Sequence, residues 1–366
     1  MALSKLNNDS FADTAVHGRR NLVINGAMQV AQRGTSFSDI NNEYLVDRFK
    51  HVKNNTDQLV VNASQSSTSP TGFSNSLKIS IGTAETTLDA DESFVIQQHV
   101  EAQNLQHILN GTSEAKSVTM SFWVRSNKTG TYTMALRKPD NTDRNQSKEY
   151  TISAADTWEH KSLTFSGDTS GGGINDDNGA GFFCDWWLAG GSNVTGGTMD
   201  TWANTATQRL STNQVNLMDS TSNEWYITGV QLEVGDKATP FEHRSYGEEL
   251  AACQRYYFKQ ESVSGSYHPF GFGTWFSASR FISNVQLPVP MRASPSVTIT
   301  GNVEAWDEAT PRGAIASVGT ESTGGGSSPT LIKMDASNLS GATSGNHGFL
   351  MADNDSTATL EYSAEL

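Results

Sequence analysis

At 366 residues the chain is long enough for two or three domains. With 32 Gly and charged residues at only 17%, it has the profile of a turn-rich β protein, not of a helical enzyme or coiled coil. A net charge of −14, with no run of Lys or Arg longer than two, excludes an electrostatic nucleic-acid binder, and no apolar stretch approaches the ~20 residues of a membrane helix.

Residues 1–20 are polar, with isolated Leu3, Leu6, Phe11 and Val16, and read as an arm that orders only on docking. The opening MALSKLNNDSFADT lacks the apolar core of a secretory signal, so the chain is expected to be made and folded in the cytoplasm. From Asn21 strands are expected: Asn21–Asn25 before an Asn-Gly turn, Tyr44–Phe49 leading into a second, then 58–63 and 76–81 as a hairpin, and 93–100. Residues 104–110 suggest a helical turn ended by Gly111. Val118, Met120, Phe122 and Val124 alternate with Thr119, Ser121, Trp123 and Arg125, the period of a half-buried strand. Asn127–Gly130 then reads as a turn and 131–137 as the returning strand. Further strands are expected at 150–153, 159–165 and 181–189, with a Gly/Asp loop at 167–180 and an irregular stretch at 198–216. About ten short-spaced strands without intervening helices imply a sandwich or barrel and exclude a doubly wound α/β fold.

Residues 225–257 form the boundary. Val230, Leu232 and Val234 alternate with Gln231 and Glu233, and Gly235-Asp236 marks a turn. Ser245 with Glu248 three residues on signals a capped helix, on which Tyr246, Leu250, Cys253 and Tyr257 share a face. That face is a candidate assembly surface, either around a threefold axis or against the chain's own sandwich. After it, 280–287 reads as a strand, while Pro288, Pro290 and Pro295 keep 289–294 out of a central strand. Val297 and Ile299 alternate with Thr298 and Thr300, and 321–329 is a Gly-rich loop. The last ten residues alternate cleanly, with Ala358, Leu360, Tyr362, Ala364 and Leu366 on one face, so a paired strand inside a sheet is expected there, with a subunit interface as one location.

The fold expected is all-β: a jelly-roll β-sandwich over 21–244, a short linker helix over 245–258, and a smaller C-terminal β-sandwich domain over 259–366, preceded by the arm 1–20. The segment WYITGVQLEVGDKATPFEHRSYGEELAACQRYY resembles the hinge of tail-fibre and related appendage proteins of tailed bacteriophages, and QLPVPMRASPSVTIT after it fits the same family. NLVINGAMQ, SFWVRSNKTGTYTMALR, TWEHKSLTFSGD and WYITGVQLEVG together resemble jelly-roll carbohydrate-binding modules of the family 4/9/22 type. In that family an Asp before the Val-x-Leu-Glu of the closing strand lies close to a structural calcium. Here Gly229 stands in that place, which argues against an inherited calcium site, and no cofactor is expected.

Catalytic motifs are missing. There is no Gly-x-Ser-x-Gly, no HExxH, no CxxC and no phosphate loop, and the histidines are scattered. Acidic residues cluster at Asp89/Asp91/Glu92, Asp176/Asp177 and Glu248/Glu249; the second pair suits a turn and the third a helix N-terminus. Cys184 and Cys253 are expected as buried thiols. Binding chemistry is better represented, because sugars stack on aromatic faces while neighbouring amides and carboxylates take their hydroxyls. Asp185, Trp186 and Trp187, with Trp202 and Asn204 nearby, supply those groups. Adjacent strand residues face opposite ways, so only one of Trp186 and Trp187 belongs to the core. The other lies exposed, in a groove, at an interface or beneath the 193–201 loop. Tyr267, Phe272 and Trp275 crowd into a glycine-spaced segment expected to be a loop, as a receptor surface or as a packed seam, and Trp306 is an exposed candidate in a second loop.

The resemblance implies a non-enzymatic virion protein, a homotrimer docked to other virion proteins through residues 1–20, that binds host cell-surface polysaccharide or glycoprotein without inserting into a membrane. A capsid or tail decoration protein with a purely structural role, a carbohydrate-binding accessory protein and a depolymerase are the alternatives.

Overall fold

The computed structural model describes residues 19–55, 59–141, 144–205, 209–263, 267–307, 310–315, 328–336 and 339–366. The expected arm, apart from Arg19 and Arg20, and most of the expected Gly-rich loop at 321–329 lie outside them. The chain divides into two compact units, the first reaching Tyr246 and the second running from Gly247 to Glu365. Both are β-sandwiches, as expected.

The first unit contains β1 (Ser36–Phe37), β2 (Phe49–Asn54), β3 (Val60–Ser66), β4 (Ser76–Thr83), β5 (Ser93–Glu101), β6 (Val118–Ser126), β7 (Gly130–Lys138), β8 (Arg144–Ile152), β9 (Glu159–Phe165), β10 (Ala180–Gly190), β11 (Ala203–Asn204) and β12 (Glu224–Val234). One sheet has the order β1-β3-β4-β12-β6-β9 and the facing sheet β11-β8-β7-β10-β5-β2. The chain crosses repeatedly between the two, the connectivity of a jelly roll. Between them lies one core, with Phe122, Trp186 and Trp225 fully buried.

Two expectations about this unit are corrected. Residues 21–26 form no strand. Asn25 and Met28 hold φ of 60° and 55°, and the Asn21 side chain replaces a ladder by donating to the Val230 carbonyl at 3.0 Å and accepting from the Leu232 amide at 3.1 Å. Nor do β6 and β7 form a hairpin. β6 pairs with β12 and β9, whereas β7 pairs with β10 and β8. Each hides alternate apolar residues against the same core, so the two face each other from opposite sheets.

In the second unit α1 (Tyr246–Gln254) precedes β13 (Tyr257–Glu261), β14 (Pro269–Ser277), β15 (Arg280–Gln286), β16 (Ser296–Thr300), β17 (Val303–Asp307), β18 (Thr310–Ala314), β19 (Leu331–Ala336), β20 (His347–Ala352) and β21 (Thr359–Ser363). A three-stranded sheet β13-β21-β16 packs its apolar residues with those of a six-stranded sheet β18-β17-β20-β14-β15-β19. The expected terminal strand is the middle strand of the smaller sheet, with Ala358, Leu360, Tyr362 and Ala364 buried.

The segment around Phe272 is a strand, not a loop. Gly273 pairs with Gly348 across β14 and β20, and a Cβ at Gly273 would stand 2.6 Å from the Phe281 ring. One at Gly348 would stand 2.9 Å from the Trp275 indole nitrogen. These glycines clear the space that Trp275 and Phe281 fill, their rings 5.1 Å apart. The helical face is also shorter than expected, because α1 stops at Gln254 and Tyr257 pairs with Ser363 in β13.

Candidate functional site

The outer face of the first sheet is half covered. Past Val234 the chain folds back over it: Thr119 donates its hydroxyl to the Gly235 carbonyl at 2.8 Å, and Glu233 accepts from the Thr239 amide at 2.8 Å and hydroxyl at 2.6 Å. Glu242 then receives the Arg20 and Asn21 amides at 3.0 and 2.8 Å. This explains why Gln231 and Glu233, on the outward phase of β12, are nevertheless buried.

Where that cover stops, an open cleft of about 480 Å³ begins, lined by Ser121, Trp123, His160, Gly229, Ala238, Thr239, Pro240 and Phe241. Trp123 sits on the outward phase of β6 beside its cross-strand partner His160 on β9, ring centroids 5.2 Å apart. Phe73, Phe241 and His243 form an edge-packed cluster beside it, with centroids 4.9–5.4 Å apart. Gly229 makes this floor possible. It occupies a β-bulge between Thr228 and Gln231 at φ 62°, where a Cβ would meet Phe73 at 2.7 Å and Trp123 at 3.0 Å. The bulge also switches the inward phase from Trp225 and Ile227 to Val230 and Leu232.

One row away on the same face, Lys78, Tyr226 and Arg125 are cross-strand neighbours. The Arg125 guanidinium stands 5.0 Å and the Lys78 ammonium 5.5 Å from the Tyr226 ring centroid, and Trp158 meets the same ring edge-on at 6.2 Å. Glu224 accepts from Lys78 at 2.6 Å and from the Tyr226 hydroxyl at 2.5 Å. Burial would raise Glu224, but Lys78 and Tyr226 hold it below the usual carboxylate value. Partial burial lowers His160 from its ordinary 6.5. The cleft thus offers a partly exposed indole, an imidazole and two hydroxyls.

The residues expected around Trp187 are placed on the second sheet, and the cover there is complete. Trp186 fills the core. Trp187 points outward but is 3% exposed, packed with Val95, Ala135, Leu210 and Val194. Asp185 is buried and accepts from Gln97 at 2.8 Å and Arg137 at 3.3 Å. Trp202 lies 6.5 Å from Phe182 and donates to the Ser166 carbonyl at 2.7 Å, while the Asn204 side chain accepts from Arg144 at 3.1 Å. Beside them is a buried ion cluster. Asp168 takes Lys138 at 2.6 Å and Arg144 at 2.5 and 2.6 Å, and its carboxyl lies far below the usual range because these cations outweigh the penalty of burial. It ties down the Gly-rich loop, since Lys138 also donates to the Gly172 carbonyl at 2.9 Å.

In the second unit Trp275 is core, whereas Trp306 is half-buried on β17, with Tyr267 against it at 5.0 Å. Trp306, Phe349 and Phe272 form one cross-strand row, and Phe272 is 68% exposed. Of the helix residues, Tyr246 is exposed, Leu250 half-buried and Cys253 buried; Cys184 and Cys253 are both buried and not joined by a disulfide. Among the described residues no group of three or more His, Cys, Asp or Glu stands together as metal ligands, and no helix is long and apolar enough to cross a membrane.

No family model matches the chain, and no curated protein matches it. Among solved structures it is similar to a CBM4 domain, at 13% identity and a TM-score of 0.29, covering 58% of this chain and 98% of that one. It is also similar to the family 11 carbohydrate-binding module of the Clostridium thermocellum cellulase Lic26A-Cel5E, at 11% identity and a TM-score of 0.28, covering 57% and 95%. A third similarity is to the enzymatically active domain of tailspike protein 4 of bacteriophage CBA120, at 14% identity and a TM-score of 0.31. That match covers 59% of this chain and 21% of the tailspike chain.

Proposed function

We propose that this protein is a non-enzymatic adhesion protein of a bacteriophage virion, a tail fibre or tail appendage, and that it binds host-surface glycan through the cleft at Trp123. The observation that carries the reading is an indole on the solvent phase of a central strand, left open at the edge of the tether's cover and kept clear by the Gly229 bulge. A pyranose presents a C–H face to such a ring and its hydroxyls to groups such as Ser121 and His160. The virion assignment is supported by the resemblance of residues 225–257 to the phage hinge. A homotrimer, docked to the particle through residues 1–20, belongs to the same reading. Several copies would raise avidity by roughly 10²–10⁴ where geometry allows simultaneous contact.

The test is binding of purified protein to host cells and polysaccharide, and competition with phage adsorption. Trp123→Ala is expected to weaken binding roughly thirtyfold or more, as truncation of an aromatic anchor does. Unchanged binding in that variant would place the site elsewhere. Release of reducing ends from the polysaccharide would overturn the non-enzymatic part.

A further inference from the structure

We infer that the Trp123 cleft selects pyranoses carrying a methyl-bearing substituent, an N-acetyl group or a 6-deoxy carbon, over fully hydroxylated hexoses. The inference rests on the glycan-binding reading and adds the class of sugar. Its basis is what lines the cleft. Trp123, Ala238, Pro240 and Phe241 present carbon, and Gly229 presents backbone alone. The polar side chains are Ser121, Thr239 and His160; no carboxylate, side-chain amide or guanidinium is among the lining residues.

Carboxylates that neighbour the lining residues in the chain already have partners: Glu159 accepts from Lys161 at 2.6 Å, and Glu242 from the Arg20 and Asn21 amides at 3.0 and 2.8 Å. Glu233 accepts from Gln231 at 2.8 Å as well as from Thr239, and Glu224 is held by Lys78 and Tyr226. The Thr239 hydroxyl has donated its proton to Glu233, which leaves it as an acceptor only. A hexose lying on Trp123 would therefore turn several hydroxyls toward an apolar wall with few partners, and a buried hydroxyl without a hydrogen bond is unfavourable. A methyl group in the same place meets Ala238, Pro240 and Phe241 and leaves water for carbon. A volume of about 480 Å³ falls within the range of small-molecule sites and has room for a substituent beside the ring.

The experiment compares matched sugars on multivalent carriers, titrated against the whole protein: N-acetylglucosamine against glucose, L-fucose against L-galactose, and L-rhamnose against L-mannose. The expected result is a preference of roughly tenfold or more for the methyl-bearing member of at least one pair, the scale on which apolar pockets discriminate. That preference should shrink in Ala238→Ser and vanish with all binding in Trp123→Ala. A preference confined to the first pair assigns the acetamido group, and one confined to the others assigns the ring methyl. Equal binding within every pair, still lost in Trp123→Ala, overturns the selectivity and leaves the glycan site standing. No binding to any carrier overturns both.

Discussion

The two outer faces of the first unit begin from the same design and end differently. Each places a tryptophan on the outward phase of an inner strand, Trp123 on β6 and Trp187 on β10. Around Trp187 the chain spends residues 191–205 and 209–215 as a lid, fastened by parallel bridges Ser147–Met199 and Thr131–Gln214, and the ring becomes a second small core. Around Trp123 the returning segment is fastened through Thr119, Thr164, Gln231 and Glu233, yet the ring stays half-buried over a cleft. An outward tryptophan is therefore not by itself a binding residue. What decides is the length of chain that follows and how firmly it is bound to the face.

Substitutions separate the two faces. The largest expected effect is on the covered one: Asp168→Asn leaves Lys138, which is fully buried, without its charged partner, and should lower stability by about 3–5 kcal/mol. Trp187→Ala opens a cavity under the lid and should lower stability by about 3 kcal/mol, near the small end for such truncations because the irregular lid around Val194 and Leu210 can settle onto the gap. Denaturant unfolding measures both. In both variants glycan binding at 25 °C should equal that of the parent wherever the protein remains folded. Loss of binding with stability intact would show that the covered face takes part in recognition.

How much of this was readable beforehand differs by feature. The alternation in β6 put Trp123 on the solvent phase, an aromatic among Thr119, Ser121 and Arg125, and that was the available signal for the cleft. The phase change from Trp225-x-Ile227 to Val230-x-Leu232 across Gly229 likewise announced a bulge, because an uninterrupted strand cannot bury both pairs. The two features most easily misread involve partners distant in sequence. Whether β6 and β7 pair or face each other depends on the rest of the sandwich, since both arrangements bury the same residues. The glycines of β14 have a loop-like composition, yet their function is to admit Trp275 and Phe281. The pairing that makes this necessary joins residues about 75 positions apart.

Acid makes the same contrast without a substitution. His51 lies in the covered interior with its ring 4.3 Å from Phe94, and burial, with the charge of Lys53 second, pulls its pKa down to about 3. The unfolded chain, with an ordinary value near 6.5, binds this proton first as pH falls. The stabilisation is therefore complete above pH 6.5 and is lost progressively as pH falls from there toward 3. At pH 5 the His51 share of the loss should be about 2 kcal/mol, read as the difference between the denaturant midpoints of the parent and of His51→Phe; buried His99, likewise pulled down to about 3 by burial and then by Arg48, adds a comparable share that this variant leaves in place. His160, exposed on the open face, is lowered in the same direction by its partial burial, so its replacement by Asn should change that profile in the same sense but less than His51→Phe does.

A modest stability effect, and the one most diagnostic of the open face, is expected at Gly229. Alanine there must hold φ near 62°, which costs about 1–2 kcal/mol for an L-residue outside glycine's range. Its Cβ would stand 2.7 Å from Phe73 and 3.0 Å from Trp123, so one of the two rings must move. Phe73 is braced by Phe241 and His243, whereas Trp123 borders the cleft and has open volume on one side. The indole should therefore give way and tilt into the space a sugar would occupy. Gly229→Ala is thus expected to lose far more glycan affinity than its modest loss of stability would suggest, while a variant at Trp187 does the reverse. Titration and unfolding of both proteins side by side measure the two ratios. Matching ratios would mean that the open and covered faces are energetically one structure, with no separate cleft.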